Sequence, residues 1–193
     1  MYEAEIAALE ELLAPIRADL GTDARGLEVG VGTGRFAAPL KIGHGVEPAP
    51  KMAELARHSG IDVTEAPAEA LPFDDATFDH TAFITSLCFV TDAARSLHEA
   101  RRVTREGGWI LVAFLNRASA LGEQLAATQH SDPFYEHATL RTADEIEALL
   151  QQAGYRVHDA RQVTLSDDGR PEVRPGTDAG LFCAFSARLT NGH

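Results

Sequence analysis

The sequence predicts an α/β fold: a doubly wound, seven-stranded sheet, mostly parallel, ending in an antiparallel C-terminal hairpin. Three observations predict it. Short β-rich runs alternate with helical segments along most of the chain, the pattern of a parallel sheet covered on both faces. The first unit turns through the glycine-punctuated run Gly30-Val31-Gly32-Thr33-Gly34, where a strand feeds a helix with its backbone amides exposed. The last two β-rich runs have no helical segment between them, so they pair antiparallel.

Each element follows from local pattern. Between residues 3 and 20, Ile6, Leu9, Leu12, Leu13, Ile16 and Leu20 recur at three- and four-residue spacing, one face of a helix; Gly21 ends it. Residues 26–31 form the first strand, and 35–40 a short helix. Further strands are predicted at 44–47, 62–66, 78–84, 109–115, 156–165 and 181–189, with helices at 49–58, 91–104 and 142–153. Thr142 and Glu145 have the spacing of a capping box, and Gly154 supplies the stop. Residues 166–179, rich in Asp, Gly and Pro, read as a loop. Residues 116–141 are too long and polar for a plain connection, and such insertions usually cover a site.

Composition bounds the rest. With 193 residues and 45% hydrophobic content the chain can bury a core without disulfides or metals, and it reads as one domain, 1–193. Lys and Arg total 17 against 29 Asp and Glu, a net charge of −12, which argues against nucleic acid and anionic membranes as partners. The two cysteines, Cys88 and Cys183, lie far apart without paired spacing, so a reducing cytoplasm is the expected setting. The acidic N-terminus is not a secretion signal. No apolar run approaches the roughly 18 residues that span a bilayer.

The strongest chemical signal is Glu28-Val29-Gly30-Val31-Gly32-Thr33-Gly34-Arg35. Alternate glycines let the backbone turn tightly and approach a ligand closely. The dinucleotide fingerprint G-x-G-x-x-G would need a third glycine where Arg35 stands. Glu47 closes the next strand, where a carboxylate can accept from both hydroxyls of a ribose; the competing reading is a solvated strand-end acid. Glu28 either ties the loop's amides together or is a paired structural acid. Loop and acid together point to a nucleoside-containing ligand.

These residues carry a resemblance. Glu28 to Phe36 resembles motif I of the class I S-adenosylmethionine-dependent methyltransferases, and Glu47-Pro48-Ala49-Pro50-Lys51-Met52 their acidic second-strand motif. Ala68-Glu69-Ala70-Leu71-Pro72-Phe73, with Phe78-Asp79, resembles their adenine-side segment, and the run from His98 to Gly108 the helix and glycine turn before strand 5. With the last helix and hairpin the likeness covers nearly the whole chain, nearest to the group called methyltransferase type 11. It implies a Rossmann-like fold and methyl transfer from S-adenosylmethionine, leaving S-adenosylhomocysteine. By the same likeness, Gly30, Gly32 and Gly34 would line the methionine and ribose parts of the cofactor, with Glu28 before them. Glu47 would bind the ribose hydroxyls, Met52 would pack by the adenine, the Ala68 amide with Glu69 would lie at the adenine edge, and Thr85 would follow the methionine moiety. Where the family commonly has an aspartate for the adenine amine, this chain has Pro67.

The expected acceptor is a small molecule, methylated at N, O, S or C by in-line displacement. After strand 4 the chain reads Ile84-Thr85-Ser86-Leu87-Cys88-Phe89, unlike the Asn/Asp-Pro-Pro-Tyr run of relatives that methylate planar amino nitrogens. His130, Tyr135 and His137 are the candidate catalytic groups within 116–141, which with the helix at 1–20 is expected to form a lid; no metal-ligand spacing appears. The rivals are a non-catalytic cofactor-binding regulatory module and, behind it, a NAD-binding oxidoreductase.

Overall fold

In the computed structural model, which describes residues 1–21 and 23–190, the chain runs α1 (Tyr2–Leu20), β1 (Gly26–Val29), β2 (His44–Val46), α2 (Pro50–His58), β3 (Asp62–Thr64), β4 (Phe78–Ile84), α3 (Ala93–Val103), β5 (Thr104–Leu115), α4 (Ala120–Thr128), α5 (Ala143–Gln152), β6 (Tyr155–Leu165), β7 (Pro171–Pro175) and β8 (Phe182–Leu189). One sheet is formed, in the order β3-β2-β1-β4-β5-β8-β6-β7. The strands from β1 to β5 pair in parallel, and β8 and β7 run antiparallel to their neighbours.

Side chains alternate across the strands and so divide the core between two faces. Leu27, Val29, Phe83, Ile110 and Val112 meet α3 and α5 through Leu97, Ala100, Ile146 and Leu150. Ala82, Ile84, Leu111 and Ala113 meet α1 and α2 through Leu9, Leu12, Leu13, Ile16, Ala53 and Ala56. Because both faces are covered, residues 110–114 are buried without interruption, as expected of central parallel strands.

Side-chain hydrogen bonds anchor both ends of α1. Near its C-terminus Asp19 accepts from Trp109 Nε1 at 3.0 Å. At its N-terminus the Tyr2 hydroxyl donates to the Arg35 carbonyl at 2.6 Å, with the Arg35 guanidinium 4.2 Å from the Tyr2 ring centroid. The first turn of α1 therefore rests on the segment following the glycine loop.

Two expectations are corrected. The sheet has eight strands, not seven: β7 lies within the run read as a loop. It begins and ends in proline, which cannot donate to a ladder and is tolerated because β7 is an edge strand with one neighbour. The antiparallel C-terminal strands lie together at one end of the sheet, with β8 between β5 and β6. Residues 35–40 form successive turns rather than a helix; Pro39 has no amide to give, and Lys41 at φ 53° closes the run. The 116–141 segment, read only as polar, contains α4, whose N-cap Ser119 accepts from Gly122, and a 3-10 turn (Gln129–Ser131). The capping box at Thr142 and Glu145 is formed.

Candidate functional site

The carboxyl ends of β1, β2 and β4 meet at the glycine loop. Gly30, Gly32 and Gly34 have φ of 73°, 56° and 80°, a region most side chains avoid. A β-carbon at Gly30 would lie 2.5 Å from the Ser86 β-carbon, and one at Gly34 2.5 Å from Ile61 Cδ1, whereas nothing stands within 4 Å of one at Gly32. The outer glycines are thus pressed by the protein, and the middle one faces open space.

Short bonds fix the loop. Gly30 and Val31 amides both donate to the Val46 carbonyl, at 2.8 and 3.0 Å. Ser86 Oγ donates to the Val29 carbonyl at 2.6 Å. Glu47, largely buried, accepts from the Gly32 amide through Oε2 at 2.9 Å and from Ala49 through Oε1 at 3.0 Å. An ionised carboxylate offers about four acceptor sites, so two remain on Glu47 after the loop is braced.

Glu28 is buried to 1% exposure, and its Oε2 has no hydrogen-bond partner. Burial pushes its carboxyl well above the usual range, favouring the protonated form. The bracing considered for Glu28 is instead made by Glu47 and Ser86. At the end of β4, Thr85 holds φ 55°, uncommon for a β-branched residue, with its amide bonded to the Ala113 carbonyl at 2.9 Å. Such strained positions cluster at ligand clamps. Cys88 Sγ lies 3.3 Å from the Thr85 carbonyl, and burial pushes the thiol up to about 11; it is no nucleophile at neutral pH.

The remaining expected residues are placed as follows. Met52 stands exposed in the first turn of α2, and Ala68 is buried. The Glu69 carboxylate caps the approach to α3, accepting from the Thr91 amide at 2.7 Å and the Asp92 amide at 3.0 Å, while its backbone carbonyl accepts from Arg95 Nε at 3.0 Å. His137 has a side chain 88% exposed, paired with Glu136 at 3.3 Å, and His130 is exposed. Tyr135 alone of the three is brought inward, packed with Phe89 and Phe134 at centroid distances of 6.3 and 4.9 Å. Burial first, then the charges of Cys88, Asp132 and Glu5, raises its phenol above the ordinary value, so Tyr135 keeps its proton. Glu5 was not foreseen. Its signal was available: it stands one turn before Leu9 on the apolar stripe of α1. A groove of about 390 Å³ lined by His98, Arg101, Arg102 and Leu189 lies at the opposite edge of the sheet, where β5 begins and β8 ends, away from the glycine loop.

A family model described as a methyltransferase domain matches residues 27–112. A crystal structure from Thermotoga maritima, described as a SAM-dependent methyltransferase and possible histamine N-methyltransferase, aligns with a TM-score of 0.87 at 34% identity, covering 98% of this chain and 89% of that one. The chain is a class I S-adenosylmethionine-dependent methyltransferase. This methyltransferase is also 35% identical over 190 residues to an uncharacterized protein of Methanocaldococcus jannaschii, covering 97% of the chain and 89% of that protein. It is 28% identical over 162 residues to an O-methyltransferase of Penicillium expansum, covering 77% of the chain and 56% of that protein.

The cofactor of the methyltransferase is S-adenosylmethionine. The residues present fit it: the open face at Gly32 leaves room against the backbone, the adjoining carboxylate keeps acceptor sites, and an unpartnered buried acid lies beneath the loop. Among the described residues no helix is long and apolar enough to cross a membrane.

Proposed function

We propose that this methyltransferase acts on a small-molecule acceptor, bound beside the glycine loop within one domain whose first helix and 116–141 segment act as lids. Its site residues take the roles their positions suit. Gly30, Gly32 and Gly34 line the methionine and ribose parts of the cofactor above Glu28, and Glu47 accepts from the ribose hydroxyls with the sites left free by Gly32 and Ala49. Met52 packs by the adenine, the Ala68 and Glu69 backbone lies at the adenine edge, and Thr85 clamps the methionine side.

The observation that carries the small-molecule reading is the packing of Phe134 and Tyr135, from the 116–141 segment, against Phe89 after β4, at 5.3 Å and 6.3 Å. This gives the end of β4 an aromatic wall of side-chain dimensions. The acidic balance of the chain, −12 overall, further disfavours nucleic acid as acceptor.

Bound, the cofactor supplies a sulfonium methyl open to in-line displacement. The protein's part is positional. The braced loop and strained Thr85 hold one partner, the aromatic wall excludes water and orients the other, and Tyr135, still protonated, donates a hydrogen bond. His130 and His137 face solvent and take no part.

Titration calorimetry with S-adenosylhomocysteine tests the cofactor site. Glu47→Ala should weaken binding by about 1.5–3 kcal/mol, the range of a hydrogen bond to a charged group. Unchanged affinity would remove Glu47 as the ribose ligand, and tight NAD binding without any response to S-adenosylhomocysteine would overturn the whole assignment. For the acceptor, methyl-labelled cofactor is incubated with a cell extract separated by ultrafiltration. Labelled products other than the cofactor itself, separated from it by chromatography, are expected in the small-molecule fraction; transferred label confined to macromolecules would refute the small acceptor.

A further inference from the structure

We propose that the acceptor is an organic acid, anchored through a carboxylate by Arg141 at the ends of β4 and β5. This rests on the small-molecule reading and names the class of molecule.

Arg141 closes the 116–141 segment, and backbone bonds fix it beside the two strand ends. Its carbonyl accepts from the Arg117 amide at 3.0 Å, just past β5, and the Thr139 amide donates to the Cys88 carbonyl at 2.7 Å, just past β4. The residue is half-buried. Its Nη1 donates to the Leu87 carbonyl at 3.3 Å and to the Thr139 carbonyl at 3.1 Å. A guanidinium carries five N–H donors in a rigid fork. Nη1 spends two of them, and the edge formed by Nε and Nη2, which can meet a carboxylate with two parallel bonds, has no partner among the described residues. The neighbouring Arg117 is paired with Glu145 at 3.0 Å, whereas no carboxylate among the described residues pairs with Arg141. A partly desolvated charge without a counter-ion is costly, and in a chain with 29 Asp and Glu none is placed to relieve it.

The second observation is the space beside it. A cleft at the carboxyl ends of β4 and β5 is lined by Thr85, Cys88, Leu115, Thr139 and Arg141 with their apolar neighbours, and Arg141 is the one charged residue in that lining. Cys88, its thiol kept protonated by burial, adds no competing negative charge. The cleft holds about 10 Å³, room for one water-sized group, so it takes the polar end of a ligand and not its body. Thr85, at the strained end of β4, lines the same cleft, and an acid anchored on Arg141 therefore has the rest of its body beside the methionine side of the cofactor. The overall charge of −12 does not oppose this. Exposed charges are screened beyond about 8 Å at physiological salt, and a single carboxylate in contact with a guanidinium is decided locally. Both oxygens of a carboxylate gripped by the fork are occupied by N–H donors, so the carboxylate is the anchor; the methyl goes to another atom of the acid, and the product is still an acid.

The test uses the full chain, methyl-labelled cofactor and the small-molecule fraction of a cell extract, split on an anion exchanger at neutral pH into retained acids and unretained cations and neutral molecules. Label should pass to the retained fraction, and the labelled product should itself be retained. In a dilution series of that fraction, Arg141→Gln should raise the amount giving half-maximal rate about ten- to hundredfold, the range of a hydrogen-bonded charge. Arg141→Lys, which keeps the charge and loses the fork, should recover part of that loss, and calorimetry should give both variants the parent's affinity for S-adenosylhomocysteine. If Arg141→Gln fails to fold, the division of label between the two fractions and the Arg141→Lys series decide. Transfer to the unretained fraction as fast as or faster than to the retained one, a half-saturation point unmoved by Arg141→Gln, or a loss confined to S-adenosylhomocysteine affinity would overturn the acid anchor while leaving the methyltransferase site standing. Transfer to neither fraction would instead overturn the small-molecule reading beneath it.

Discussion

Replacing His80 by leucine should remove a loss of stability that the parent suffers on mild acidification. His80 lies in β4, 6% exposed, opposite Gly26 of β1, and its Nδ1 has no hydrogen-bond partner. Burial, chiefly, and the Arg17 charge from α1 lower its pKa from 6.5 to about 4, against a smaller opposing effect of Asp79. The folded protein therefore resists a proton that the unfolded chain accepts below 6.5. Stability from this residue is complete above pH 6.5 and declines as pH falls toward 4, at about 1.4 kcal/mol per pH unit. The loss is about 2 kcal/mol at pH 5 and about 3 kcal/mol by pH 4, taking the shift at face value. Glu28, with its raised pKa, works in the opposite direction, its contribution fading as pH rises above the unfolded value. It is common to both proteins and cancels in the difference. Urea unfolding of the parent and of His80→Leu at pH 8, 6 and 5 measures that difference directly. Leucine carries a constant cost or gain of its own, so the slope decides. A difference between the two proteins that does not change from pH 8 to pH 5 would refute the reasoning, because it would mean that His80 takes up its proton in the fold.

Two further outcomes follow from the site. Gly32→Ala meets only the strain of its left-handed backbone, about 1–2 kcal/mol, because no protein atom stands near the new methyl; it should unfold close to normally but lose S-adenosylhomocysteine affinity in calorimetry. Gly30→Ala adds a collision with Ser86 to the same strain and should lower the melting temperature further, so equal stability of the two variants would contradict the packing described. His130→Ala and His137→Ala should leave turnover unaltered, since both imidazoles are exposed; a large fall in kcat for either would return it to the chemistry.

What was legible in the sequence is local. The β4 span was read to the residue, because a buried strand bounded by Asp74-Asp75-Ala76 and Thr85-Ser86 is written in consecutive side chains. The capping box of α5 was legible for the same reason. Illegible features depend on partners distant in sequence. The β7 run looks like a loop until β6 lies beside it, and then its terminal prolines are harmless at an edge. Residues 35–40 have the apolar spacing of a helix, and only the missing Pro39 amide and the left-handed Lys41 show otherwise. Glu69 matched a motif, but its carboxylate is held by amides twenty-two and twenty-three residues away.

The sequence by itself determined the fold class, the glycine loop and the strand-end acid, because turn chemistry and side-chain periodicity act over a few residues and are written where they act; the cofactor came from the likeness of its ordered motifs to the methyltransferase family. The tertiary structure alone decided that β8 enters between β5 and β6, that Glu47 rather than Glu28 braces the loop, and that Tyr135 packs against Phe89 and Phe134 while both histidines stay exposed. It alone set Tyr135 against Phe89, far earlier in the chain. Which groups meet across such separations is set by how whole elements bury their apolar faces, and no local pattern encodes that.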